Sequence, residues 1–272
     1  MAVKIGICNE ALPGVGVFAP RIAHELGLDG LQIEMGSKLH GYPICQKKIQ
    51  EYYLDEQQKY GIEYPCIGMS DLDFHSIHSK PGTPMYDHVK KMMEIAVDAA
   101  SAMKIPTIMV CCFGESLIKT DEELERAAKM IQYVCDLAGD KDITVGVESP
   151  LDGKKTRQLI DQIARENVGV FYDSQNYKFD ANLDQVSVLE EIYDLLIPVL
   201  HVKDGIDMKS THLLGTGNTR FFEQMEVLRK HKYEGWIISE NYYDRAGLRD
   251  MNPDWFVTLK KDIEILRKEI DW

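Results

Sequence analysis

The chain has 272 residues, 44% hydrophobic and 28% charged, with 20 Gly and 10 Pro, which is the composition of a folded globular protein and excludes a disordered or fibrous one. Its 31 Lys and Arg stand against 44 Asp and Glu, a formal charge of −13; that field repels phosphate backbones and anionic headgroups, so neither nucleic acid nor a membrane surface is an expected partner. No stretch reaches the ~18 apolar residues of a membrane span, and the N-terminal residues run into strand-like sequence without an apolar leader core, so the expected location is the cytoplasm.

Short apolar, β-rich runs alternate with stretches of helical period along the whole chain. In order, the pattern predicts a strand at 3–8, a helix at 17–26, a strand at 30–35, a helix at 45–60, a strand at 64–69 and a helix at 84–103. It continues with strand 107–112, helix 121–137, strand 143–147, helix 156–166, strand 168–172, helix 183–195, strand 198–202, helix 221–230, strand 236–239 and helix 254–268. Near-continuous apolar strands separated by helices pair in parallel with both faces covered. Eight such units match a (β/α)8 TIM barrel better than an open doubly wound sheet, which more often stops at five or six strands. Residues 1–272 read as a single domain, because no linker or change of composition divides them. The breaker Pro81-Gly82-Thr83-Pro84 merely precedes a helix, and Asp121-Glu122-Glu123 reads as an acidic first turn without chemistry.

Six cysteines lie scattered without a C-x-x-C pair and read as buried free thiols. Cys111 and Cys112 are neighbours in one strand, so they point to opposite faces and cannot line one site together.

A barrel of this kind carries its active site at the C-terminal mouth, and four consecutive strands end in side chains suited to chemistry. Glu148 follows 143–147 directly, Asp173 follows 168–172, His201 lies in 198–202 ahead of Lys203-Asp204, and Glu240 follows 236–239. Their spacings of 25, 28 and 39 residues are each about one βα unit, so the four side chains converge. A lone carboxylate after a strand is ordinarily a helix cap or ion-pair partner, and a lone strand His is ordinarily a hydrogen-bonded core residue. Repetition on four strands changes that reading. Three carboxylates and an imidazole at an apolar mouth repel one another unless protons or a cation neutralise them, and a divalent metal ion is the expected solution. Oxygen-rich ligation with one nitrogen suits Mn²⁺, Mg²⁺ or Co²⁺, with Zn²⁺ also compatible.

The eight-unit order together with Val-Gly-Val-Glu148-Ser-Pro, Phe-Tyr-Asp173, His201-Val-Lys203-Asp204, Leu-Gly215-Thr-Gly217-Asn and Ile-Ser-Glu240-Asn resembles the xylose isomerase-like barrels, which include sugar and sugar-phosphate isomerases and epimerases. The resemblance covers nearly the whole chain and is strongest from residue 143 to 241. It implies that Glu148, Asp173, His201 and Glu240 bind one divalent metal ion, and that Glu148 and Glu240 also move protons. The expected function is then a metal-dependent isomerase or epimerase of a sugar, keto-sugar or related polyol. The metal would polarise the substrate carbonyl, one carboxylate would remove the adjacent proton, and the second would exchange a proton elsewhere on the enediolate. Lys203, Asn176, Glu34 and His75 are the expected substrate contacts, with Lys203 read equally well as an ion partner of Asp204.

Two positions depart from the epimerases of that family, many of which carry a His three residues after the metal-binding Asp and a basic residue six after the metal-binding His. Here they are Asn176 and Asp207. Asn can hydrogen-bond a sugar hydroxyl but cannot shuttle a proton. Dehydration of an inosose, isomerisation of a hydroxy-aldehyde acid and metal-assisted cleavage of an oxidised glycoside therefore stand beside epimerisation. An endonuclease IV-like phosphodiesterase would need further His ligands and a basic groove, which Asn176 and the acidic charge oppose. A non-catalytic sugar-binding subunit is the rival from another class. Asn9, Glu10, His78 and Phe113 are further mouth residues. Gly215-Thr216-Gly217 reads as a tight turn near the pocket without the spacing of a dinucleotide site. Trp255, Phe256 and Tyr242-Tyr243 either cover the barrel or form the contact surface of a homo-oligomer.

Overall fold

The computed structural model describes residues 3–12 and 16–272. Eight parallel strands form one sheet: β1 (Lys4–Cys8), β2 (Gly30–Glu34), β3 (Ile67–Gly68), β4 (Thr107–Cys111), β5 (Thr144–Glu148), β6 (Val168–Val170), β7 (Val199–Val202) and β8 (Trp236–Ser239). Their order is β6-β5-β4-β3-β2-β1-β8-β7, and parallel bridges Val170↔Leu196 and Asp173↔His201 join the two ends. The sheet thus curls into the (β/α)8 TIM barrel that the alternating pattern predicts. Burial explains the near-continuous apolar strands, since all five residues of β4 are buried between the barrel interior and the helices. At the β6–β7 seam His201 N donates to Tyr172 O at 2.8 Å and Ser174 N donates to His201 O at 3.2 Å. Backbone register therefore sets Asp173 beside His201 before any side chain acts.

Nine α-helices accompany the strands among the described residues: α1 (Ala19–Glu25), α2 (Lys47–Tyr60), α3 (Pro84–Met103), α4 (Asp121–Gly139), α5 (Gly153–Ile163), α6 (Asn176–Ala181), α7 (Gln185–Ile192), α8 (Phe221–Lys230) and α9 (Trp255–Glu269). α3 begins at Pro84 behind the Thr83 cap, as the breaker implies. Thr120 and Glu123 form a capping box ahead of α4, which accounts for the acidic first turn. α5 starts three residues before the predicted 156–166, because Asp152 caps it by accepting from Lys155 N at 2.8 Å, and Ala164 in left-handed conformation ends it. β3 is shorter than the predicted 64–69, where Pro65 has no N–H to give the ladder. α6 was absent from the pattern, since six residues are too few to show a helical period. Of the free cysteines, five are buried as expected and Cys45 is exposed. No helix among the described residues is long and apolar enough to cross a membrane.

Two buried carboxylates shape the loops beyond β7 and β8. Asp204 accepts from Gly205 N and Thr219 N through Oδ1 and from Gly215 N and Gly217 N through Oδ2, at 2.8 to 3.3 Å. Gly215-Thr216-Gly217 is accordingly the tight turn expected, wound around Asp204. Asp262, from α9, accepts from Asn241 Nδ2 at 2.7 Å, Tyr243 Oη at 2.9 Å and Leu214 N at 2.9 Å. Tyr243 is consequently core, not contact surface. A Cβ on Gly217 would lie 2.1 Å from Asp204 Oδ1, so Gly217→Ala is expected to cost about 1–3 kcal/mol of stability, read as a lower urea midpoint at unchanged m-value.

Candidate active site

Glu148 ends β5, Asp173 follows β6, His201 lies in β7 and Glu240 follows β8. One ligand atom from each falls within 4.8 Å of all the others. His201 Nδ1 sits in the middle, 3.2 Å from Glu240 Oε2, 3.5 Å from Glu148 Oε1 and 3.9 Å from Asp173 Oδ2. The convergence expected from strand spacing is therefore met.

The surroundings aim each group inward. His201 Nε2 stands 2.9 Å from Gln32 Oε1, an acceptor, so that nitrogen carries a proton and Nδ1 is the nitrogen that faces the carboxylates. Gln32 Nε2 in turn donates to Glu34 Oε1 at 3.2 Å, and Ser70 Oγ donates to Glu34 Oε2 at 2.9 Å. Asp173 Oδ1 accepts from Gln175 N at 2.7 Å and Asn176 N at 2.8 Å, starting α6 and leaving Oδ2 to the cluster. Asn176 Nδ2 donates to Glu148 Oε1 at 3.0 Å. Lys203 Nζ lies 2.5 Å from Glu240 Oε2 and 3.0 Å from Asp173 Oδ2, so Lys203 pairs inside the cluster and not with Asp204.

Electrostatics follow from this packing. Burial pushes the Asp173 carboxyl up to about 6, with Glu240 and Glu148 adding to the rise and Lys203 opposing it. Burial also works against ionisation of Glu240, yet Lys203 and His201 hold that carboxyl well below the usual range. The imidazole of His201 is pulled down by burial but raised well above its ordinary value by Cys8, Glu240 and Glu148 around it. His201 Nδ1 is buried without a hydrogen-bond partner, and Asp173 Oδ2 meets the Lys203 ammonium at 3.0 Å; three carboxylates gathered around one lysine are costly unless a further positive charge joins them. Three carboxylates and an imidazole whose free nitrogen faces them while the other is anchored to a carbonyl oxygen fit a divalent cation, which this buried group could hold.

A cavity of about 210 Å³ opens onto the cluster. Glu148, Glu240, Lys203 and Asn176 line it, as expected, together with Phe113. Glu34 is not part of its lining and is joined to His201 by hydrogen bonds through Gln32. His75 also lies outside it, with Nε2 3.3 Å from Asp71 Oδ2 and its ring against His88. Ser70, Asp73, Lys209, Tyr242 and Arg245 complete the polar lining and were not foreseen, because they come from mouth loops without periodicity. Tyr242 Oη donates to Glu240 Oε1 at 3.3 Å, and burial raises the Asp73 carboxyl to about 6. Gln32 carried a readable signal, a lone amide within the apolar run of β2.

The fold and the site define a (β/α)8 TIM barrel with three carboxylates and an imidazole converging at its C-terminal mouth. The chain belongs to the xylose isomerase-like TIM barrel family, whose model matches residues 20–272. It is 22% identical over 271 residues to 2-epi-5-epi-valiolone 7-phosphate 2-epimerase of an Actinoplanes species, covering 98% of this chain and 95% of that protein. Among solved structures it resembles 3-keto-D-glucoside 4-epimerase from E. coli, with a TM-score of 0.76, 18% identity and coverage of 98% and 99%. D-allulose 3-epimerase from Methylomonas sp., solved with D-allulose, gives a TM-score of 0.76 at 16% identity and coverage of 98% and 97%.

Proposed function

We propose that this protein is a divalent-metal-dependent sugar isomerase or epimerase acting on a keto-sugar or related keto-polyol through an enediolate. The observation that carries the reading is the cluster of Glu148, Asp173, His201 and Glu240 at the barrel mouth, three carboxylates with one lysine to offset them and a buried imidazole nitrogen without a hydrogen-bond partner. Those four residues would hold the ion, for which Mn²⁺, Mg²⁺ and Co²⁺ suit the donor set best and Zn²⁺ is also compatible. Bound there, a divalent ion supplies Lewis-acid stabilisation of negative charge on the substrate oxygens.

The chain's own groups account for the proton movement. Lys203 keeps Glu240 ionised, ready to take a proton from the carbon next to a carbonyl. Glu148 enters from β5, on the other side of His201, and is steadied by the Asn176 amide. A pair of carboxylates reaching one cavity from separated strands suits removal of a proton at one position and delivery at another. Asn176 Oδ1 is buried and unpartnered at the same cavity, free to accept from a substrate hydroxyl. The similar proteins named above are all epimerases, of a valiolone phosphate, a 3-keto-D-glucoside and D-allulose, which supports this class of chemistry.

The test is incubation of the metal-loaded protein with a panel of keto-sugars and inososes in D2O. Loss of the proton signal next to the carbonyl, with an epimer or isomer as product, is the expected result. Release of water with an unsaturated ketone would assign a dehydratase instead, and no exchange in any compound would remove the catalytic reading.

A further inference from the structure

Three cations border the active-site cavity: Lys203, Lys209 and Arg245. Two are already engaged. Lys203 Nζ is held between Glu240 and Asp173, and Lys209 Nζ lies 2.5 Å from Asp180 Oδ2. Arg245 makes no ion pair among the described residues. Its Cζ stands 3.5 Å from the centroid of the Tyr242 ring, which fixes the plane of the guanidinium and leaves its N–H groups at the rim of the stack, none of them with a hydrogen-bond acceptor among the described residues. Glu10 and Asp244 border the adjoining groove with Arg245; the guanidinium offsets part of the rise that burial and Glu240 impose on the Glu10 carboxyl, but neither carboxylate comes within ion-pair or hydrogen-bond distance of it among the described residues.

The position of this cation matters as much as its being free. Tyr242 meets Glu240 through its hydroxyl and Arg245 through its ring face, so the guanidinium is set one aromatic ring away from a carboxylate of the cluster. In a chain of charge −13, an anion entering this mouth meets repulsion unless a specific cation receives it. A planar guanidinium with unoccupied donors matches phosphate and carboxylate oxygens two at a time. We propose that Arg245 is an anion subsite of the cavity, taking a phosphate monoester or a carboxylate carried by the substrate at the end remote from the reacting carbons. This rests on the sugar reading above and narrows it to acidic sugars.

Three probes that differ only at one end test it: D-fructose, D-fructose 6-phosphate and D-fructuronate. Their binding to the metal-loaded wild type, Arg245→Gln and Arg245→Lys is measured by calorimetry, with proton exchange in D2O followed in parallel. The wild type is expected to bind an anionic probe more tightly than D-fructose, and Arg245→Gln to reduce that preference by about 10- to 100-fold, with Arg245→Lys retaining part of it. The anionic probe that shows the effect identifies the group as phosphate or carboxylate. Equal weakening of all three probes by Arg245→Gln would make Arg245 a general hydroxyl contact and overturn the proposal, as would a wild type that binds neither anion more tightly than D-fructose. Anion binding that depends on Arg245 in a protein that exchanges no proton would keep the subsite and remove the epimerase reading.

Discussion

Glu240→Gln and Glu148→Gln are each expected to lower kcat/KM for proton exchange by about 10²–10⁴-fold, the range that a positioned acid or base supplies. Glutamine keeps the shape and one carbonyl oxygen but cannot take a proton. In Glu240→Gln the Tyr242 hydroxyl retains an acceptor, while Lys203 keeps Asp173 Oδ2 at 3.0 Å. In Glu148→Gln the Asn176 amide, which now donates to Glu148 Oε1 at 3.0 Å, can still meet a carbonyl oxygen. Both variants should therefore fold, with thermal midpoints close to the wild type under chelator. A Glu240→Gln protein that exchanges substrate protons at the wild-type rate would move the base elsewhere, and Asp73, a raised carboxyl on the same cavity, would be the next residue to test.

Much of this site is legible from sequence because barrel geometry converts chain order into position. An apolar run long enough to be a stave ends at the mouth, so a carboxylate immediately after it must face the cavity or its rim; Glu148 and Glu240 are read in this way, and Asp173 and His201 meet across the β6–β7 seam. Residues on loops escape that logic. The path of the segment carrying Lys209 is set by Asp204 winding the backbone of four residues around one carboxylate, and that of Tyr242 and Arg245 by the Asn241–Asp262–Tyr243 network. Neither network leaves a period or a short motif. His75 shows the limit of that logic, since a polar residue after a stave is expected at the cavity, whereas here its ring packs against His88 and its Nε2 meets Asp71. Gln32 stands out as a lone amide in the apolar run of β2, but what it does appears only when His201 is seen to need an acceptor for Nε2–H.

The second large effect concerns the cation itself, and its readout is stability instead of turnover. A ligating His201 must be neutral, and then the carboxylates of Glu148, Asp173 and Glu240 with the Lys203 ammonium carry two net negative charges, the amount one divalent ion cancels. An ion that binds only the folded chain adds about 2.7 kcal/mol at a hundred times its dissociation constant. For a chain of this size that corresponds to a rise in Tm of roughly 5–10 °C, reversed by chelator. Protons compete for the same atoms, because His201 and Asp173 must be unprotonated to bind. Without metal the Asp173 carboxyl, raised to about 6, contributes most to stability below its unfolded value near 4, and that contribution is lost as pH rises through 6. With metal the order reverses, and affinity is lost as falling pH protonates first His201, whose imidazole its neighbours raise, and then Asp173 near 6. The metal-induced rise in Tm should therefore grow between pH 5 and pH 8. Asp173→Asn tests the assignment within the fold, since its remaining carbonyl oxygen can still accept from Gln175 N and Asn176 N while the anionic Oδ2 is gone. That variant should lose most of the metal-induced rise at every pH. A wild-type Tm that stays constant as Mn²⁺, Mg²⁺, Co²⁺ and Zn²⁺ are titrated into chelator-stripped protein at neutral pH would leave the cluster as a buried ion-pair network around Lys203, and the chemistry proposed for Glu148 and Glu240 would lose its electrophile.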